Sequence, residues 1–462
     1  MAVPLVDRVA RRLPPRRTRP RRGIHNPGRT IVAGFAVGIA AGTLLLLLPA
    51  ARRGPGGASL LEAAFTATSA LCVTGLSVVD TATFWTPVGQ VTILVLIQAG
   101  GFGIMSLASL LGLLISRRLD LGTRMLAATE TKSVGLGDVR AVLLGVARIS
   151  LVVEAVTALV LAARFATAYG HGLGESLWLG VFHAVSAFNN AGFALFSDNL
   201  VGFAADPWIC LPIALAVVLG GLGFPVILEV LRQRRRPARW SIHTRLTLVM
   251  TAVLIVGGTL FVTVAEWSNP GTLGALDPAG RVLTGFFQAV MPRTAGFNSV
   301  DTGAMNTGTL LGTDVLMFIG GGSAGTAGGI KVGTFAVLLL AIVAELRGDP
   351  DVNLFDRRLS PTAIRQALAV ALLSVAAVVG PTIAIAMTSP YTLDEILFEV
   401  TSAFATVGLS TGITADLAPG HQLVLVVLMF AGRLGPVTLA SALVLREHGR
   451  LTRRPEGRPL IG

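Results

Sequence analysis

Residues Thr68–Leu76 read TSALCVTGL, and versions of the stretch return three times: Ser186–Phe193 as SAFNNAGF, Arg293–Asn298 as RTAGFN and Thr401–Leu409 as TSAFATVGL. Each closes a short amphipathic run on one glycine beside a small or hydroxyl residue, followed by Leu or Phe. The glycines, Gly75, Gly192, Gly296 and Gly408, fall 117, 104 and 112 residues apart. Near-equal spacing marks internal repeats, each a unit that leans on its neighbours. Four such units, each with one glycine turn in apolar flanks, predict four segments around a common axis, the layout of an ion pore.

Composition narrows the class. Of 462 residues, 53% are hydrophobic and 13% charged, and the mean hydropathy is +0.73. That describes an integral membrane protein. The net charge of +12 would suit a nucleic-acid binder. However, the basic residues cluster between long apolar runs, as in cytoplasmic loops, so no nucleic-acid partner is expected. Cys72 and Cys210 both lie in apolar contexts, which argues against a disulfide framework.

The chain divides into a basic tail (1–30), four repeats (31–116, 140–232, 244–347 and 361–446) and a second tail (447–462). The first tail is rich in Arg and Pro and reads as disordered, drawn to anionic membrane lipid on the cytoplasmic face. The Ile31–Ala50 run behind it is longer than the apolar core of a signal peptide, about 7–15 residues, and reads as a span. Each repeat is predicted as span, re-entrant segment, span. Repeat 1 has Ile31–Ala50, Ser59–Ser77 and Pro87–Ile115. Repeat 2 has Ala141–Ala163, Glu175–Ser197 and Trp208–Leu231. Repeat 3 has Leu246–Trp267, Arg281–Val300 and Thr309–Leu346, and repeat 4 has Ala363–Thr388, Leu393–Thr411 and His421–Leu445. The middle pieces are too short to cross, and their non-helical backbone must line water or be buried in protein. The expected fold is all-α and integral to the membrane, with eight transmembrane helices and four re-entrant loops around a pseudo-fourfold pore.

Orientation follows from charge. The connectors between repeats carry Arg117, Arg118, Arg124, Lys132 and Arg140, then Arg232, Arg234, Arg235, Arg236 and Arg239, then Arg347, Arg357 and Arg358. The loops flanking the dips are poorer in positive charge, despite Arg52, Arg53 and Arg281. Connectors and both termini are therefore expected on the cytoplasmic side of the cell membrane, with the dips entering from outside.

A cation that enters a membrane must exchange hydration water for protein oxygens, and rings of backbone carbonyls supply them in potassium filters. Glycine adopts angles that let a carbonyl aim at an axis. The candidate filter is Val73–Thr74–Gly75, Asn190–Ala191–Gly192, Thr294–Ala295–Gly296 and Thr406–Val407–Gly408, with K+ as its ion. One glycine per repeat, against two in TVGYG, suggests fewer ordered ion sites and looser selectivity. A lone triplet of this kind would be a helix cap; four at matched positions argue otherwise. Asp80, Asp198, Asp301 and Asp416 follow the four turns. They would either gather cations at an outer mouth or cap the next helix, and the two roles are compatible.

Thr309–Leu346 would reach about 57 Å as one helix against a hydrocarbon core of about 30 Å. Its centre, Gly320–Lys331, reads GGGSAGTAGGIK and should interrupt it below the filter. The candidate gate is Gly320, Gly321, Gly322, Ser323, Gly325, Gly328, Gly329 and Lys331, with Arg433 from the last span; close glycine packing without movement is the alternative. Gly321–Gly325 also matches G-x-S-x-G and Gly320–Gly325 matches G-x-G-x-x-G. Neither follows a predicted strand, so neither a serine nucleophile (Ser323 with His183) nor a nucleotide site is expected. Arg433 sits within an apolar span, a costly position unless it meets water or a partner. It either lines a cavity and, with Lys331, opposes cation passage, or pairs with an acid such as Glu229 or Glu154.

Together these residues resemble the Trk/Ktr/HKT superfamily of potassium transporters. TSALCVTGL, SAFNNAGF, RTAGFN and SAFATVGLSTGIT are similar to its four filter segments. GGSAGTAGGIK is similar to its intramembrane gating loop, and GRLGP around Arg433 to its arginine-bearing last helix. The likeness covers residues 31–446. The V-T-G-L form of the first filter and the compact length are more similar to the bacterial Ktr membrane subunit than to Trk. Gly75 stands where some sodium-conducting plant members have serine, which favours potassium. The resemblance implies potassium uptake, a homodimer with one pore per subunit, a cytoplasmic nucleotide-binding ring as regulatory partner, and sodium as activator. It implies no enzyme activity and no organic cofactor on this chain. The Arg-rich tail and the near-complete replacement of Lys by Arg depart from the family. A secondary solute transporter with broken helices, or a carrier permeable to both sodium and potassium, is the competing reading. Secondary transporters tend to show inverted repeats, whereas these four run parallel.

Overall fold

The computed structural model describes residues 27–117, 138–355 and 357–435. The tail at 1–26, the linker cations Arg118, Arg124 and Lys132, the end of the last span and the 447–462 tail lie outside the described residues. Helices follow in the order α1 (Pro27–Leu46), α2 (Leu60–Leu71), α3 (Pro87–Arg117), α4 (Asp138–Ala168), α5 (Leu173–Phe188), α6 (Pro207–Leu222) and α7 (Phe224–Gln233). They continue with α8 (Ile242–Glu266), α9 (Pro278–Val290), α10 (Thr307–Phe318), α11 (Val332–Arg347), α12 (Pro361–Ala386), α13 (Leu393–Ala405) and α14 (Pro419–Leu434).

The short helices α2, α5, α9 and α13 are the middle pieces of the four units. Their starts are written locally. Ser59 and Glu62 exchange side-chain and backbone hydrogen bonds at the head of α2. Asp277 accepts the Gly280 N–H ahead of Pro278 at the head of α9. Glu395 accepts the Thr392 N–H at the head of α13. Each packs along the long helix before it, α5 on α4 and α9 on α8 most extensively, and α13 also meets α10 and α14. At about 1.5 Å per residue none of the four reaches across a bilayer core of about 30 Å.

Among the described residues α8, α12 and the Leu143–Ala168 part of α4 are each long and apolar enough to span a membrane, and the α6–α7 pair qualifies as a broken span. Their outer faces fit that setting. On α8 the exposed Val249, Val253, Val256, Leu260 and Val264 recur every three or four residues, an apolar stripe turned away from the protein. Aromatic side chains fill the interior between units, with Phe165, Phe182, Phe188, Phe287, Phe297 and Phe404 almost wholly buried.

One expectation needs correction. The second span of repeat 2 is not continuous over Trp208–Leu231: it bends by 98° between α6 and α7. Gly223 makes the corner at φ +93°, a backbone angle that side chains resist. In the connector between repeats 3 and 4, Asn353–Leu354 pairs antiparallel with Arg357–Arg358. The last helix runs over Pro419–Leu434, and residues 436–445 of the expected His421–Leu445 span lie outside the described residues. The predicted interruption of Thr309–Leu346 falls where the glycines lie, between Phe318 and Val332.

Candidate functional site

Each short helix ends in the same unusual turn. Val73, Asn190, Thr294 and Thr406 take positive φ values of 55°, 59°, 72° and 52°, and the glycine two residues later is positive again. Non-glycine residues in this region cost energy and persist where neighbours over-determine them. Here part of the determination is backbone. The N–H of the middle residue donates back into its own helix: Thr74 to Ser69 O at 2.8 Å, Ala191 to Ser186 O at 2.7 Å, Ala295 to Met291 O at 2.9 Å and Val407 to Ser402 O at 2.9 Å.

The turns also support one another. A methyl group added to Gly75 would run into the carbonyl oxygen of Ala191; one on Gly192 would meet Ala295 O, on Gly296 Val407 O, and on Gly408 Thr74 O. Turn 1 thus abuts turn 2, turn 2 turn 3, turn 3 turn 4, and turn 4 closes back on turn 1. The contact in every case is one turn's glycine against the middle residue's carbonyl of the turn that follows it. The structure brings all twelve candidate filter residues into this one closed ring, and the side chains of its eight non-glycine members are buried.

The glycine segment lies directly behind the ring. It is strapped to the broken helix: Gly322 N–H donates to Gly221 O (2.8 Å), Thr326 N–H to Gly220 O (3.1 Å) and Phe224 N–H to Ala324 O (3.3 Å). Towards the ring, Gly328 N–H donates to Thr294 Oγ1 (3.2 Å). Gly328 itself approaches Thr406 so closely that a methyl group would strike its hydroxyl. Thr326 Oγ1 lies 2.8 Å from the side-chain amide of Asn190 and donates to Phe188 O at 3.3 Å.

Arg433 is buried and donates to Thr326 O and, at 3.4 Å, to Gly100 O. It forms no ion pair with either acid considered from sequence. Glu229 accepts from Ser241 and Thr244 at the head of α8, and Glu154 from the amides of Gln98 and Asn189. Lys331 Nζ donates to Ala327 O (2.5 Å) and Gly328 O (3.3 Å), so both cations are held by carbonyls of the segment itself.

The acids fall outside this cluster. Asp80 accepts Ala82 N–H (2.9 Å) and the hydroxyls of Thr83 (2.7 Å) and Ser197 (2.6 Å), and so ties turn 1's exit to turn 2's. Asp198 accepts Gly202 N–H and Asp301 accepts Gly303 N–H, both as local caps. Asp198, Asp301 and Asp416 are exposed. His183 is buried with Nδ1 2.7 Å from Leu179 O and Nε2 accepting Leu195 N–H, so it activates no serine. Sequence reading missed Thr326 and Gly223. Thr326 stood inside the glycine run as its one threonine, and Gly223 closed the GGLGFP stretch, the one turn signal available.

Comparison with known proteins follows the same lines. The family described as TrkH, cation transport protein, matches residues 28–452. The chain is 40% identical to the Ktr system potassium uptake protein B of Bacillus subtilis over 94% of this chain and 97% of that one. It is 38% identical to the protein of the same name from Vibrio alginolyticus, over 94% of each. Identity to the potassium/sodium uptake protein NtpJ of Enterococcus hirae is 34%, over 92% of this chain and 94% of that one. In fold, the chain is similar to the crystal structure of the potassium transporter TrkH from Vibrio parahaemolyticus, with a TM-score of 0.74 at 19% identity, over 93% of this chain and 87% of that one.

Proposed function

The chain belongs to the TrkH family of cation transport proteins, and from that premise we propose that it is the ion-translocating membrane subunit of a Ktr-type potassium uptake system. The observation that carries the reading is the closed ring of four glycine turns, in which Thr74, Ala191, Ala295 and Val407 present equivalent carbonyls to the glycine of the preceding turn. A ring of peptide oxygens replaces the hydration shell of a cation of suitable size, and selection follows from their number and spacing. The ring belongs to four repeats (31–116, 140–232, 244–347 and 361–446) with eight spans between them, both termini cytoplasmic. Asp80, Asp198, Asp301 and Asp416 gather cations at the outer mouth.

Below the ring, Gly320–Lys331 closes the path. Held by Arg433 through Thr326 and by the carbonyls of Gly220 and Gly221, it blocks the exit until those bonds are exchanged. The positive charges of Lys331 and Arg433 oppose cation passage while the segment is in place. Two relatives are named as members of a Ktr system, which supports a multi-component system, and we propose within it a homodimer docked through its basic connectors on a cytoplasmic nucleotide-binding ring, with sodium as activator.

The test is flux through the purified protein in liposomes, with rescue of a potassium-uptake-deficient bacterium on low potassium, with and without sodium. Saturable K+ uptake that excludes Na+ is expected. Equal K+ and Na+ flux would favour the reading suggested by the relative named for both ions. Absence of ion flux beside uptake of an organic solute would favour a secondary transporter.

A further inference from the structure

The ring holds its four turns in two different ways. In turns 1 and 4 a serine in the preceding helix accepts the glycine N–H: Ser69 Oγ from Gly75 and Ser402 Oγ from Gly408, both at 3.0 Å. Turn 3 has Val290 at the corresponding place, and in turn 2 Ser186 Oγ is spent as donor to Phe193 O at 2.8 Å. These two turns carry instead a polar residue three positions before the glycine, where turns 1 and 4 have Cys72 and Ala405. In turn 3 it is Arg293, which donates to the carbonyl and hydroxyl of Thr251 on α8. In turn 2 it is Asn189, the residue that ends α5 and leads into Asn190.

Asn189 Nδ2 donates to Gln98 Oε1 on α3 at 2.8 Å and to Glu154 Oε1 on α4 at 3.3 Å, and Gln98 Nε2 lies 3.5 Å from Glu154 Oε2. Gly101 leaves the room, since a methyl group there would collide with the Asn189 side chain. Glu154 stands near the middle of the Leu143–Ala168 span and is only 6% exposed. Among the described residues no Arg, Lys or His pairs with it; Arg433 reaches α3 at Gly100 O instead. An acid at that depth is costly unless its lone pairs are engaged, and such residues mark functional positions.

We propose that Glu154 is a positioning and specificity-determining residue: acting through Asn189, it holds the second filter turn at the geometry that the ion selects. The inference rests on the ring being the filter. Glu154 does not touch the ion. Its carboxylate, which only accepts, fixes the Asn189 and Gln98 amides with their N–H groups turned towards α4, and thereby fixes the start of the Asn190–Gly192 turn. Turn 3 uses Arg293 and Thr251 in the same manner: in both, the residue of the turn donates and the long helix accepts.

The test is the full-length protein in liposomes, measured for apparent K+ affinity, maximal K+ flux and K+/Na+ permeability ratio. Glu154→Gln keeps the shape but offers an amide where a pure acceptor stood. It should weaken apparent K+ affinity and the K+/Na+ ratio by about fivefold to tenfold with maximal flux nearly kept, and Glu154→Asp should recover part of the loss. Asn189→Ala should reproduce the effect, and the double variant should be no worse than the worse single one, because both break one connection. Full additivity would overturn the proposal, as would a Glu154→Gln protein with unchanged affinity and ratio. So would equal loss of flux with a lowered melting temperature in detergent, the mark of a role in folding alone. If wild-type protein shows no K+ preference at all, the filter reading fails first, before any variant is compared.

Discussion

Turns 1 and 4 differ from turns 2 and 3 in what holds them. The first pair close on a serine of their own helix. The second pair depend on other elements: turn 2 on α3 and α4 through Asn189 and on the glycine segment through Thr326, turn 3 on α8 through Arg293 and on the segment through Gly328. Turn 4 only packs against Gly328. A ring with near-fourfold contacts thus rests on a floor that grips one side. On the proposed reading of the ring as filter and the segment as gate, movement of that floor would reach turns 2 and 3 first and would couple one half of the filter to the gate more directly than the other.

The ring contacts themselves should not respect this division. Gly408 at φ +96° faces Thr74 O, and Gly192 at φ +71° faces Ala295 O. A side chain at either has to displace backbone, with strain of about 1–3 kcal/mol at each forced angle. Gly408→Ser and Gly192→Ser should each lower the K+/Na+ flux ratio by about tenfold or more, the largest effects expected. A substitution that spoils only one of them would break the idea of a single closed ring.

Next in size is the floor. Hydrogen bonds from a charged donor contribute about 1.5–3 kcal/mol, and Arg433 directs its own at Thr326 and Gly100. Arg433→Gln should raise K+ flux without a regulatory partner by about tenfold, while the ion ratio shifts far less. A ratio that collapses together with the rise in flux would show that gate and filter are one unit.

The comparison is sharpened by a pair of milder variants. Thr326→Val removes the hydroxyl's contacts with the Asn190 amide and Phe188 O, and Ser402→Ala the acceptor of Gly408 N–H, a loss of about 1–3 kcal/mol for each buried partner stranded. Each should cut the ion ratio by about fivefold.

How far the sequence showed this depends on what kind of contact was involved. The four turns were legible because each needs a glycine at a fixed place beside a small or hydroxyl residue and before Leu or Phe, and so leaves a repeating residue signature. The break between Phe318 and Val332 was legible for the same reason. The corner at Gly223 was not, because GGLGFP sits in an unbroken apolar run and the φ of +93° is imposed by the glycine segment lying against it. Thr326 was hidden too: its value lies in meeting Asn190, which stands 136 residues earlier in the chain. Arg433 was singled out by cost alone, and cost does not say whether carbonyls or an acid will offset it.

The smallest expected effect concerns the ring's outer edge, where Asp80 joins the exits of turns 1 and 2. Partial burial by itself would raise this carboxyl, but the hydroxyls of Ser197 and Thr83 and the N–H groups of Ala82 and Thr83 hold it below its ordinary value of 3.8. A carboxylate whose folded value is depressed adds stability above the unfolded value and loses it as pH falls through the folded one. Asp80→Asn should therefore lower the melting temperature in detergent by a few degrees at pH 7, and the gap to wild type should narrow only below about pH 4. Because the Ser197 hydroxyl comes from repeat 2, Ser197→Ala should give part of the same pH-dependent gap. A gap that stays constant down to pH 3 would mean that the carboxylate's charge is irrelevant and that the two exits are held together by packing.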